Sequence, residues 1–273
     1  MKTRRTVPIL GILFPVLLLV LYSFVTSTNE LKDESQKPIT ESNTSGEAGV
    51  EFSNLDVEAM DKLQNALDYL SNLKQFSVKV QSTLEDMDGF GHRVDYEMAS
   101  KVVLKRPNKL RTEQHGGWYD QTFYYNGESI TMYHSKENVY ATGPAPENID
   151  EMFHFARDTY GISAPVSDLL YTNAFELLSY EINYAVVVDM ELINEVECDH
   201  LLFSRLGVDF QIWVAKDGAP LPYKYVITDT TTPELLSYTI VMRDWNIAPI
   251  VSKKEFNFKP PHGANVIEFQ KLD

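Results

Sequence analysis

From residue 75 onward, apolar residues recur mostly at every second position, and that period decides the fold class. Phe76, Val78, Val80 and Leu84 fall on one side of an extended run, with Ser77, Lys79, Gln81 and Glu85 on the other. Side chains alternate across a strand, so each such run reads as a strand with one buried face. Val208, Phe210, Ile212 and Val214 alternate with Asp209, Gln211 and Trp213. Leu236, Tyr238, Ile240 and Met242 alternate with Ser237, Thr239 and Arg243. Asn126-Gly127 separates residues 119–125 from 129–133, and Asn-Gly is the strongest short hairpin signal. Further strands fit residues 94–104, 109–115, 138–142, 185–193, 197–206, 223–229 and 253–258.

Helical spacing is confined to three places. Asn54 or Ser53 can cap a helix over residues 55–73, with Val57, Met60, Leu63, Leu67 and Leu70 as its buried stripe. Residues 147–159 place Ile149, Met152, Phe153 and Ala156 on one side, and Gly161 can end that helix. Residues 166–179 make a third, broken stretch.

About 11–12 strands and about three helices predict a mainly β (α+β) fold. A sheet with one apolar face must hide it, and a curved antiparallel sheet wrapped over the helices as a half-open barrel does so. Tight filling makes that concave face a core, and loose filling leaves a pocket of roughly several hundred Å³. The predicted wall residues are Val78, Val80, Met152, Phe153, Phe210, Ile212, Val214, Tyr223, Tyr225, Tyr238, Ile240 and Met242. Tyr223, Tyr225 and Tyr238 share a strand parity with Ile227, Ile240 and Met242, and their hydroxyls suit a partly wet wall.

The N-terminus is organised differently. Lys2, Arg4 and Arg5 precede an uncharged run over residues 7–25. A basic flank followed by an apolar run is the layout of an export signal, and the run is about long enough to span a bilayer. Residues 1–25 therefore read as a signal peptide or a retained anchor, with the rest outside the cytoplasm. Membrane contact follows only if the segment is kept. Residues 26–52 hold almost no large apolar side chain and read as a linker. Residues 53–273 form the folded domain.

Charge excludes one class of partner. There are 24 Lys and Arg against 39 Asp and Glu, a net charge of −15, and three of the cations sit in the leader. Such a surface repels phosphate backbones, so no nucleic-acid partner is expected. Cys198 is the one cysteine, so no internal disulfide can form. Between Glu197 and Asp199 it reads as a small buried hydrophobe. The six His are isolated, so neither metal nor cofactor is expected. His154 stands four residues before Asp158 and reads as a surface pair. No nucleophile elbow, Walker loop or dinucleotide fingerprint is present, so the chain is expected not to be an enzyme.

Several local patterns carry a resemblance. They are Tyr125-x-Gly127-x5-Tyr133, then Asn138-Val139-Tyr140-Ala141, then Ile149-Asp150. Tyr160-Gly161, Pro165 and Asp168-Leu169-Leu170-Tyr171 follow, then residues 209–228 and Asp244-Trp245-Asn246. Over residues 55–260 the chain resembles a bacterial family of predicted periplasmic proteins of unknown function. That family is similar in turn to the lipoprotein-carrier superfamily of LolA, LolB and RseB, through a Trp strand, a turn, Leu-Pro and a basic residue. Here these are Trp213, Asp217-Gly218, Leu221-Pro222 and Lys224. The resemblance implies an incomplete barrel that holds acyl chains, with a lipid or acylated protein as ligand and an envelope protein as a further partner. A linker and anchor depart from the shuttle pattern. An anchored sensor or interaction module with a filled core therefore stands as the alternative, and a hydrolase with a scattered site as a weaker one.

Overall fold

The computed structural model describes residues 54–116, 120–162, 164 and 166–270. The expected export segment and linker lie outside the described residues, as does Tyr119 of the expected hairpin. Among the described residues no helix is long and apolar enough to cross a membrane.

Two meanders build one sheet. The first is β1 (Gln75–Met87), β2 (Arg93–Lys105), β3 (Lys109–His115), β4 (Gln121–Tyr125), β5 (Ser129–His134) and β6 (Val139–Pro144). The second is β7 (Tyr184–Ile193), β8 (Val196–Arg205), β9 (Val208–Ala215), β10 (Pro222–Asp229) and β11 (Ser237–Asn246). β1 pairs with β11 and joins them, and a short β12 (Asn265–Ile267) extends β6 in parallel. The order is β12-β6-β5-β4-β3-β2-β1-β11-β10-β9-β8-β7, so β12 and β7 are the edges of an open sheet. This is the expected curved, mainly antiparallel sheet with few helices.

The helices are α1 (Val57–Asn72), α2 (Ile149–Tyr160) and α3 (Ala174–Ser179), with a 3-10 turn at Ser167–Leu170. α1 starts later than its spacing predicts. Asp56, not Asn54 or Ser53, is the cap, and it accepts from the Glu58 amide at 2.9 Å. Asn54 and Leu55 stay out of the helix because they are held to the edge strand: Ala185 N donates to Asn54 O at 2.8 Å, and Asp56 N to Ala185 O at 3.0 Å. Val57 is 71% exposed rather than on the stripe. It lies two positions from buried Ala59, on the opposite side of the helix. Leu63, Leu67 and Leu70 are buried as expected, each contributing about 1.5–3 kcal/mol. α2 begins after Asn148, whose side chain accepts from Glu151 N at 2.8 Å, and ends at Gly161 in the left-handed region.

Residues 253–258 are not the expected strand. Lys253–Phe256 is a 3-10 turn, held by a Glu255 N to Ser252 O bond. Side-chain anchors override the alternation here. Glu255 pairs with Arg111 at 2.8 Å, and Phe258 packs against the rings of Tyr124, Tyr133 and Tyr140. The tail then forms β12 and ends with Phe269 stacked on Tyr160 of α2, centroids 4.6 Å apart. The expected His154–Asp158 pair is replaced: Arg157 Nε bonds Asp158 at 2.8 Å, and His154 Nδ1 faces Arg157 at 3.1 Å. Cys198 is buried, and desolvation with Asp199 beside it raises its thiol to about 11.

Candidate functional site

The concave face is covered unevenly. α1 packs on β7, β8 and β9 and on α3, and that half is filled. The half made by β1–β4 is covered by α2 and the segment after it, and a partly enclosed cavity of about 190 Å³ remains there. Its sheet wall carries Val80 and Leu84 of β1, Met98 and Val102 of β2, Leu110 of β3 and Phe123 of β4. Met152, Phe153 and Ala156 of α2 close it from above, with Ile162, Ala164, Val166 and Leu170 beyond. Val166 sits at φ 61°, a conformation that costs a β-branched residue roughly 1–2 kcal/mol.

Of the predicted wall residues, Val80, Met152, Phe153, Tyr238 and Ile240 line this cavity. Val78, Phe210, Ile212, Val214, Tyr225 and Met242 are buried in the packed core instead. Strand parity put them on the concave face, and the fold half that α1 fills took most of them. Tyr223 is only partly buried. Pro222 pairs with Val214 and Lys224 with Trp213, so an extra residue at Tyr223 breaks the assumed parity.

A polar band on β1–β4 was missed by the sequence reading. Ser82, Ser100, Thr112, Gln114 and Gln121 face the cavity. Ser100 opposes Gln114, which opposes Gln121, so three polar side chains form one row across β2, β3 and β4. Gln121 Nε2 donates to Gln114 Oε1 at 3.1 Å, and Gln114 Nε2 reaches Met98 Sδ at 3.0 Å. The available signal was the interruption of the inward parity Met98, Ser100, Val102, Leu104 by a hydroxyl.

Two further polar groupings lie off the cavity. Asp168 and Tyr225 are buried together, with Arg205 acting on both. On the outer face, His200 stacks on Trp213 at 4.0 Å, and Lys224 Nζ sits 4.1 Å from the same ring. Glu191 accepts from Trp213 Nε1 at 2.9 Å and lies 2.9 Å from His200 Nδ1. The Trp and basic residue of the sequence pattern thus meet as a cross-strand pair. Among the described residues no group of three or more His, Cys, Asp and Glu is placed to hold a metal.

No curated protein is significantly similar to the chain. Among solved structures, LprF of Mycobacterium bovis is 12% identical, with 77% of this chain and 99% of that chain covered and a TM-score of 0.46. LppX, a lipoprotein of Mycobacterium tuberculosis, is 14% identical, with 72% and 100% covered and a TM-score of 0.43. A LolA superfamily protein of Nitrosomonas europaea is 12% identical, with 73% and 97% covered and a TM-score of 0.36. Likenesses this weak carry no conclusion on ligand or partner. The family match is of another order, because it spans residues 59–270, and the chain belongs to the family described as predicted periplasmic protein (DUF2092).

Proposed function

We propose that this periplasmic protein is a non-enzymatic binding protein that takes one apolar chain, from a lipid or an acylated protein, between β1–β4 and α2. One observation supports the reading above others. Between β1–β4 and α2 about 190 Å³ is left open, with a mainly apolar wall. An apolar cavity of about 150 Å³ already admits benzene, so this one matches a chain segment of about six to eight carbons. It is smaller than the several hundred Å³ expected of a loosely covered sheet. A longer chain enters only if α2 and the cover formed by Ile162, Ala164, Val166 and Leu170 give way.

The test is binding of N-phenyl-1-naphthylamine, an uncharged dye that brightens in apolar sites, by the full chain. Saturable binding is expected, and it should be lost in Ala156→Leu, which fills the cavity from α2. Native mass spectrometry of protein from cell envelopes should show a retained lipid. No dye uptake and only bare protein would overturn the reading in favour of an interaction module with a filled core.

A further inference from the structure

The cavity wall has a charge pattern as well as a shape. Among the described residues that line it, none is Asp, Glu, Lys, Arg or His. A carboxylate or phosphate placed there would lose its water and gain no cation, which strongly disfavours the ionised form. The net charge of −15 acts in the same direction on any anion approaching the mouth.

The wall nevertheless offers hydrogen bonds. Ser100 and Thr112 face the cavity, and neither hydroxyl bonds to another described residue. Gln121 spends one N–H on Gln114, and its Oε1 accepts from no described residue. Gln114 likewise keeps a second N–H beyond its contact with Met98. Ser82 differs, since its hydroxyl reaches Met98 O at 3.5 Å and Tyr238 lies on it. An alkane would leave the Ser100, Thr112 and Gln121 groups without partners, while water or a neutral polar group satisfies them.

We infer that the cavity selects uncharged acyl lipids bearing a hydroxyl or ester group, of the monoacylglycerol class, over lipids whose polar group is an anion. The inference rests on the binding reading above and deepens it. The apolar chain lies under Met152 and Phe153, and the glycerol hydroxyls meet the row Ser100, Gln114 and Gln121. A diacyl lipid exceeds the roughly 190 Å³ available, whereas a single short chain does not.

The experiment displaces N-phenyl-1-naphthylamine from the full chain at pH 7.5 with 1-octanoylglycerol or octanoate. 1-Octanoylglycerol should compete at a concentration at least about tenfold lower, equivalent to about 1.4 kcal/mol. At pH 4 octanoate is largely neutral, and the gap should shrink. Gln121→Lys supplies the missing cation and should raise octanoate affinity about tenfold while the dye still binds. Equal competition by both ligands at pH 7.5, or no gain for octanoate in Gln121→Lys, overturns the selectivity and leaves the binding reading standing. A chain that never takes up the dye overturns both.

Discussion

Tyr225 donates its hydroxyl to Asp168 Oδ2 at 2.9 Å, and both side chains are buried where β10 meets the 3-10 turn after α2. Burial raises the Asp168 carboxyl above its ordinary range, outweighing the lowering by Tyr225, the Leu169 amide and Arg205. Burial and Asp168 together push Tyr225 well up. A carboxyl raised in the folded state holds a proton that the unfolded chain releases. Its stabilisation is complete below the unfolded value, about 3.9, and is lost as pH rises through the folded one. Asp168→Asn should therefore flatten the fall in stability above pH 4 and leave the protein more stable than its parent at pH 8. Tyr225→Phe removes a partner from a buried acid and should cost about 1–3 kcal/mol. Urea denaturation from pH 4 to 8 checks both, and parallel pH profiles for parent and Asp168→Asn would refute the assignment.

The stack of Phe269 on Tyr160 holds the C-terminal end of α2. Phe155 meets Tyr160 edge-on at 5.4 Å, and a side chain at Gly143 would collide with the Tyr160 hydroxyl. Phe269→Ala should cost about 0.5–1.5 kcal/mol. Its diagnostic effect is local: amide exchange should quicken in Ile149–Tyr160 and not in Val57–Asn72. Faster dye entry should accompany it. Uniform acceleration in both helices would show that the stack only adds global stability.

Arg106 is the awkward charge of the fold. Its Nε and both Nη atoms are buried without a hydrogen-bond partner among the described residues. Burial lowers its pKa, opposed by Asp150. Arg106→Met keeps the aliphatic stem and removes the unpaired donors, so it should be neutral or stabilising by about 1–3 kcal/mol in thermal or urea unfolding. A loss beyond about 1 kcal/mol would mean that the guanidinium is partnered in solution.

The sheet was legible because alternation is local. Lys109–His115 forms the strand its pattern predicts, and the Asn126-Gly127 signal marks a real hairpin. At that turn Gly127 has φ 85°, and a Cβ there would lie 2.5 Å from Asn108 Nδ2. The cavity was less legible. Parity says which side chains face inward, but not which half of the concave face each helix fills. Phe210 and Ile212 have the right parity and are packed core, while Ser100 and Gln121, polar residues that alternation alone assigned to no wall, line the cavity. Only the placement of α1 over β7–β9 separates the two cases. Residues 253–258 fail for a related reason, since Arg111 and a ring cluster far away in sequence decide their conformation.

The two ends of the described chain are fixed at opposite edges, Leu55 on β7 and β12 on β6. Tension between those ends would therefore load the sheet from its margins, peeling strands one at a time instead of shearing them all at once. At the tail side the grip is three residues of pairing plus one ring stack beside α2. That grip is the weaker of the restraints along its path. A pull on the tail would free the cover of the cavity before it disturbed the meander beneath, making the binding half the mechanically compliant one.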